Sequence, residues 1–184
     1  MNVIDTPISG LKIIEPKIFK DGRGYFFESF NENEFANHGL NYNFIQDNES
    51  KSSYGVIRGL HYQLEPYSQA KLVRVLHGKV FDVAVDLRQE SPTYGTWYGV
   101  ELSCENKLQL LIPKGCAHGF SVLSETAIFI YKCDSLYNKA SERGIRYNDP
   151  FLGIDWKIKT EKSVISEKDK IQPFFNDAEK NFIF

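Results

Sequence analysis

Short runs of apolar residues, separated by polar turns, recur along most of this chain. Residues 79–87 show the pattern most clearly, because Phe81, Val83 and Val85 alternate with positions that include Asp82 and Asp86. A period of two is typical of a β-strand whose two faces have different surroundings. Similar runs predict strands at 11–19, 25–30, 44–47, 56–63, 71–76, 97–103, 108–112, 119–123 and 126–133.

Helical signals are confined to two short segments. Asn31 is a good N-cap for a helix over 32–38 that stops at Gly39, and a second helix can open at Ser166. Glycine or proline turns separate the strands about every eight to twelve residues, a spacing typical of all-β folds. The pattern therefore predicts a single all-β domain over residues 1–184, a sandwich or small barrel with a short helical tail at its carboxyl end.

Composition restricts the possible partners. The formal net charge of −2 shows no basic bias, so nucleic acid is not expected as a partner. No apolar run is long enough to cross a membrane and no signal-peptide pattern opens the chain, so we expect a soluble, cytoplasmic protein with no membrane contact. The three cysteines lack metal-type spacing and are expected to be reduced core thiols; they are Cys104, Cys116 and Cys133.

A histidine and an arginine lie close together in one predicted strand. Strict alternation would place Arg58 and His61 on opposite faces, but Gly59 between them permits a β-bulge that brings both to one cavity. Imidazole titrates near neutrality, which makes His61 a candidate general base. The guanidinium of Arg58, like that of Arg23 in a glycine-flanked turn, suits an anionic ligand.

A metal site is the main alternative for such a histidine. Small jelly-roll barrels often hold a metal through a His-x-His pair, a nearby Glu and one later His. Here Gln63 stands where the second histidine would be, and His118 is a lone later candidate. Because two imidazoles do not supply the usual three-ligand site, we expect no bound metal.

Two further strand residues have both a structural and a chemical interpretation. Lys71 is either a solvated edge residue or, if it faces the cavity, a cation that stabilises negative charge on a substrate oxygen. Tyr131 shares its strand face with Phe129 and Cys133. It is therefore either a core tyrosine or a proton donor across the cavity from His61. The pattern alone does not choose between these alternatives.

Several longer motifs, in one order and spacing, make the chain similar to a known family. They include FKDGRG at 19–24, FESF at 27–30, RGLH at 58–61, FDVAVDLR at 81–88, AHGF at 117–120 and GIDW at 153–156. From residue 4 to residue 173 the chain resembles the dTDP-4-dehydrorhamnose 3,5-epimerase family of dTDP-L-rhamnose synthesis. The resemblance implies a cupin-type jelly roll, no metal or organic cofactor, and a homodimer that exchanges amino-terminal strands.

The resemblance also implies an activity and a set of site residues. The activity is that of an isomerase, which inverts C3 and C5 of dTDP-4-dehydro-6-deoxy-D-glucose by proton transfer through an enolate. His61 resembles the family's base, and Asp169 resembles the carboxylate paired with it. Tyr131 resembles the acid, and Lys71 the group that steadies the enolate. Positions that resemble substrate contacts are Arg23, Glu28, Gln46, Asp47, Asn48, Arg58, His118, Tyr137, Glu142 and Lys168, with Tyr137 at the position that stacks on thymine.

Two other functions are compatible with the same motifs. A relative that inverts only C3 or only C5 would keep the same base and acid. A noncatalytic jelly roll that binds sugar nucleotides is the other alternative, although it would not need all four catalytic candidates together. The chain also departs from the residues common in the family at His77, Cys116, Asp134 and Leu136.

Overall fold

The computed structural model describes residues 1–184, and two β-sheets account for most of its regular structure. The strands are β1 (Asn2–Asp5), β2 (Lys12–Glu15), β3 (Phe19–Asp21), β4 (Gly24–Phe26), β5 (Gln46–Ser53), β6 (Val56–Gln63), β7 (Lys71–His77), β8 (Lys79–Asp86), β9 (Trp97–Ser103), β10 (Gln109–Ile112), β11 (Cys116–Val122), β12 (Thr126–Cys133), β13 (Glu142–Gly144) and β14 (Val164–Ile165). The helices are α1 (Glu32–Asn37) and α2 (Glu167–Lys170), with one turn of 3-10 helix at Thr160–Lys162.

The strands form two layers, and the chain passes repeatedly from one layer to the other. The first sheet has the order β1-β2-β10-β7-β12-β5, and the second has the order β13-β6-β11-β8-β9 with β14 beside β6. Every pair within the sheets is antiparallel except β14 with β6, and β3 and β4 form a separate hairpin. This arrangement confirms the predicted all-β, cupin-like jelly roll.

Alternation along β8 explains how the layers are held together. Val80 and Ala84 belong to the apolar core between the two sheets. Phe81, Val83 and Val85 point the other way, into a second apolar cluster beneath the carboxyl-terminal segment. That segment covers the outer face of the second sheet with large buried side chains, which include Trp156, Phe175 and Phe182. Burial of these side chains fixes the path of the carboxyl-terminal segment. Along that path the segment places α2 against β6.

Both predicted helices are confirmed, together with their caps. The Asn31 side chain accepts a hydrogen bond from the Glu34 backbone N–H at 3.2 Å and so begins α1. The Ser166 hydroxyl accepts from the Asp169 backbone N–H at 3.1 Å and begins α2. These caps satisfy backbone donors that have no partner within a short helix.

Several predicted strand boundaries are wrong. The strand predicted at 11–19 covers only Lys12–Glu15, and Phe19 belongs to β3. The strand predicted at 119–123 begins at Cys116. The strand predicted at 25–30 ends at Phe26, because Phe30 leaves the hairpin to pack edge-on against Phe35 and Phe44. The strand predicted at 44–47 instead begins at Gln46 and continues to Ser53. Its sequence is almost entirely polar, since β5 is an edge strand that pairs only with β12, and polar edge strands give little periodic signal.

Candidate active site

A cavity of about 350 Å³ opens between the two sheets. It is lined by Asn48, Glu49, Ser50, Arg58, His61, Tyr62, Gln63, Gln69, Lys71, His118, Gly119, Phe120, Tyr131, Tyr137 and Glu142. Eight of these residues were predicted from the sequence to belong to the site. Only four of the fifteen lining residues are hydrophobic, so the cavity suits a polar ligand.

The predicted bulge in β6 is present at Gly59. His118 of β11 lies opposite His61, and Phe120 lies opposite Arg58, so one residue of β11 faces two residues of β6. Gly59 has a φ of +115°, and a Cβ there would lie 2.6 Å from the Cα of Gly119. Only glycine fits that conformation and that close approach. The bulge turns Arg58 and His61 into the same cavity.

His61 is held from behind by a buried carboxylate. Its Nε2 lies 2.7 Å from Oδ1 of Asp169, which is only 3% exposed. The second oxygen of Asp169 accepts from the Gly59 backbone N–H at 3.3 Å. Burial would raise the pKa of Asp169, but the hydrogen bonds from His61 and Gly59 outweigh it and hold that pKa below its usual value. An ionised Asp169 requires Nε2 to donate, so the bare Nδ1 of His61 is free to take a proton.

Lys71 and Tyr131 lie on the opposite wall, in the first sheet. They occupy the neighbouring central strands β7 and β12, so Lys71 is not an edge residue. The Lys71 ammonium lies 5.7 Å from the centre of the Tyr131 ring. Burial lowers the pKa of Lys71 and raises the pKa of Tyr131. Both side chains line the cavity, which favours the chemical interpretation of each over the structural one.

A set of polar contacts forms the rim of the cavity. The Tyr137 hydroxyl donates to Oε2 of Glu142 at 3.1 Å, and the Lys168 ammonium lies 2.6 Å from Oε1 of the same carboxylate. The Gln46 side chain accepts from the Tyr137 backbone N–H at 2.9 Å. Gln46 and Lys168 therefore lie just outside the cavity lining, each one contact away from it. The Tyr137 side chain is 54% exposed.

Besides Gln46 and Lys168, three predicted contact residues do not line this cavity within the single chain. Arg23 pairs with Asp21 on the β3–β4 hairpin, and its side chain is 92% exposed. Glu28 accepts from Asn31 and lines a different cavity. Asp47 pairs with Lys132 at 2.9 Å, because alternation along β5 turns it away from the side that carries Asn48.

Comparison with known proteins agrees with the geometry. The sequence model of the dTDP-4-dehydrorhamnose 3,5-epimerase family matches residues 5–177. The chain belongs to this family. A dTDP-4-dehydrorhamnose 3,5-epimerase from Shigella flexneri is 54% identical over 180 residues, which cover 97% of this chain and 98% of that protein. The chain is therefore a carbohydrate epimerase, an isomerase.

Solved structures of two epimerases share the fold. The crystal structure of dTDP-4-dehydrorhamnose 3,5-epimerase from Elizabethkingia anophelis NUHP1 superposes with a TM-score of 0.93 at 57% identity, covering 96% of this chain and 97% of that one. A dTDP-6-deoxy-D-glucose-3,5-epimerase from Legionella pneumophila Philadelphia 1, in complex with dTDP-4-keto-L-rhamnose, has a TM-score of 0.91 at 53% identity. That match covers 96% of this chain and 93% of the Legionella chain.

Gln63 has a structural role in this epimerase. Its amide nitrogen donates to the backbone carbonyls of Tyr67 at 2.6 Å and Leu136 at 3.2 Å, and its oxygen accepts from the Asn138 N–H at 2.7 Å.

No group of three or more His, Cys, Asp or Glu side chains is arranged to hold a metal ion. None of the helices is long and apolar enough to span a membrane.

Some of the lining residues were not predicted from the sequence. Among them are Glu49, Ser50, Gln69 and Phe120. Glu49 and Ser50 lie on β5, whose extent the polar sequence concealed. Gln69 lies in the loop before β7, where no periodic pattern indicates which way a side chain points. The AHGF motif contains Phe120, and it is the one signal that pointed to this part of the cavity.

Proposed function

We propose that the chain inverts both C3 and C5 of dTDP-4-dehydro-6-deoxy-D-glucose and gives dTDP-4-dehydro-L-rhamnose. The observation that carries the proposal is the placement of His61, backed by Asp169, across one cavity from Lys71 and Tyr131. The relative from Legionella that holds dTDP-4-keto-L-rhamnose supports it, as does the high identity to other double epimerases. Together these findings favour catalysis over a noncatalytic binding role.

The base and the acid act from opposite sides of the sugar. A ketone at C4 acidifies the protons on C3 and C5, so the Nδ1 of His61 can remove either proton. The resulting enolate is reprotonated by Tyr131 from the other wall, which inverts the carbon. Burial keeps Tyr131 protonated, because it raises the pKa of the phenol. Inversion at two carbons requires two such cycles. Between them His61 releases its proton to solvent, Tyr131 regains one from solvent, and the sugar ring is repositioned.

Two fixed charges stabilise the species formed during proton transfer. Asp169 stabilises the imidazolium that His61 becomes when it takes a proton. The Lys71 ammonium has no hydrogen-bond or ion-pair partner within the chain and is therefore available to the enolate oxygen at C4. A preorganised cation in a partly desolvated cavity is an efficient way to stabilise a developing oxyanion.

The nucleotide is held away from the reacting carbons. Arg58 lines the cavity and donates to Ser52 at 3.0 Å, which orients its guanidinium towards a pyrophosphate. Tyr137 offers a ring face to thymine, and Glu142 with Lys168 fixes the hydroxyl of that tyrosine. Binding energy from the nucleotide then positions the sugar for reaction.

The active unit in this proposal is a homodimer that exchanges amino-terminal strands, formed from a single 1–184 domain. The β3–β4 hairpin exposes Phe19, Tyr25 and Phe26, three large side chains that a second copy would bury. Such an exchange would also bring Arg23 and Glu28 of one subunit to the cavity of the other.

The three cysteines are free thiols, which supports a cytoplasmic location.

Replacement of the base tests the proposal. His61→Ala should abolish conversion of dTDP-4-dehydro-6-deoxy-D-glucose while the affinity for dTDP, measured by calorimetry, stays unchanged. His38→Ala is the matched control, because His38 is an exposed histidine at the end of α1. Near-normal turnover by His61→Ala would exclude His61 as the base and refute this assignment.

A further inference from the structure

Asp82 is a buried carboxylate that the mechanism above does not use. It lies on β8 with no exposed surface, and its two oxygens lie 3.0 and 3.1 Å from the Nε2 of His118. His118 is on the neighbouring strand β11 and lines the active-site cavity. A charged side chain so fully buried is costly unless it is paired, and its partner here belongs to the active site.

The pairing determines which nitrogen of His118 carries a proton. When Asp82 is ionised its oxygens can only accept, and Nε2 of His118 then donates to them. Burial raises the pKa of Asp82, and the His118 ring and the Lys71 ammonium oppose that rise. Burial also lowers the pKa of His118, which favours the neutral ring. A neutral ring protonated on Nε2 has a bare Nδ1.

The Nδ1 of His118 is the atom left for a ligand. It makes no hydrogen bond within the chain, and it is not a fully buried, unpartnered atom. The Phe129 ring lies beside that of His118, with centroids 5.9 Å apart and planes inclined by 22°. The cavity wall therefore offers one acceptor, the Nδ1 of His118, together with one donor, the unpaired ammonium of Lys71.

We propose that Asp82 is a positioning residue, which fixes His118 as a hydrogen-bond acceptor for the sugar hydroxyl adjacent to the ketone. Lys71 donates to the ketone oxygen, so the two side chains together recognise an α-hydroxy ketone. This inference rests on the proposed function and adds a specificity element to it. A sugar without that hydroxyl would leave Nδ1 unpaired, and we expect a loss of about tenfold in kcat/KM.

The tautomer of His118 can be measured without any substrate. In protein labelled with 15N-histidine, NMR should show His118 protonated on Nε2 and bare on Nδ1 near neutral pH. Asp82→Asn keeps the shape but offers an amide that either donates or accepts, so the single tautomer should be lost. The control is Asp86→Asn, which removes an equally buried carboxylate on the same strand that binds Arg88, Ser91 and Thr93 outside the cavity. Asp86→Asn should leave the His118 tautomer unchanged.

Kinetics provide the second part of the test. Asp82→Asn should bind dTDP normally but lose about 10- to 100-fold in kcat/KM, the usual cost of removing a group that orients a functional imidazole from behind. Proton exchange at C5 should be compared for the natural substrate and for its 3-deoxy analogue. Wild-type enzyme should prefer the natural substrate, and this preference should shrink in Asp82→Asn and persist in Asp86→Asn.

Three results would overturn the inference: a wild-type His118 protonated on Nδ1, an unchanged tautomer with normal kcat/KM in Asp82→Asn, or an undiminished preference for the 3-hydroxyl in that variant. The wild-type tautomer decides the question even if Asp82→Asn folds poorly. If wild-type enzyme converts neither sugar while His118 shows the expected tautomer, the proposed function fails and the control of His118 by Asp82 is still supported.

Discussion

Replacing Asp169 with asparagine removes the charge behind the proposed base and changes the shape of the site very little. The oxygen of the new amide can still accept from the Gly59 N–H, which Asp169 binds at 3.3 Å. What is lost is a charge-assisted hydrogen bond of 2.7 Å to the Nε2 of His61. That bond becomes stronger during the reaction, because His61 becomes a cation when it takes the substrate proton.

The size of the effect follows from this geometry. A hydrogen bond to a charged group contributes about 1.5–3 kcal/mol. Since about 1.4 kcal/mol corresponds to a factor of ten in rate, Asp169→Asn should lower kcat by about 10- to 150-fold. The loss is larger if the new amide donates to Nε2, because the ring proton then moves to Nδ1 and blocks the basic nitrogen.

The assay is deuterium incorporation at C3 and C5 of the sugar nucleotide, followed by proton NMR in D2O, with dTDP affinity as a check on the binding site. Asp149→Asn is the matched control. Asp149 is also buried and also anchors the carboxyl-terminal segment, through the backbone N–H groups of Leu152 and Phe175, but unlike Asp169 its side chain bonds no residue that lines the cavity. A kcat for Asp169→Asn within about threefold of wild type, the scatter expected of individual interaction energies, would refute the role assigned to Asp169.

Three further predictions concern the remaining walls of the cavity. Tyr131→Phe should let deuterium exchange outrun net inversion, since the proton can still be removed but not delivered from the other face; equal losses of both would indicate a structural tyrosine. Burial lowers the pKa of Lys71 below its usual 10.5, and the ammonium loses its charge as pH rises through that pKa, so kcat should fall at alkaline pH, below pH 10.5. In Lys71→Arg the fall in kcat should move to higher pH, because arginine stays charged. An identical pH profile in the two enzymes would show that Lys71 does not cause the fall. Arg58→Gln should chiefly raise KM for the sugar nucleotide. The control Arg143→Gln should leave KM unchanged, because Arg143 pairs with Glu179 outside the cavity. An unchanged KM in folded Arg58→Gln would show that Arg58 does not bind the pyrophosphate.

The bulge at Gly59 is a feature of the site that could be predicted from neighbouring residues in the sequence. Glycine between Arg58 and His61, within an otherwise regular strand, permits a bulge that brings both side chains to one cavity. The register between β6 and β11 shows the bulge, and both side chains line the cavity. The alternation along β8 was equally informative, since it separates the two apolar clusters of the fold. Both features depend on residues close together in the chain, where side-chain direction follows from strand geometry.

The contact between His61 and Asp169 is of a different kind, because 108 residues separate them. It depends on how the carboxyl-terminal segment crosses the outer face of the second sheet, which is set by burial of side chains such as Trp156 and Phe175. No local pattern encodes that path, and only the resemblance to the family indicated the pairing. Arg23 differs again, because it is exposed on the β3–β4 hairpin of its own chain. In the proposed function it reaches a substrate only in the cavity of a second subunit, which no pattern within one chain predicts.

The most direct test of the account is proton NMR of dTDP-4-dehydro-6-deoxy-D-glucose with the wild-type protein in D2O. The account predicts that the C3 and C5 proton signals both disappear and that reduction of the product gives the rhamnose configuration. Loss of only one signal would contradict the double inversion and move the chain to a single-centre epimerase. Retention of both signals, with dTDP bound normally, would contradict the assignment of His61 as a base that acts on this sugar.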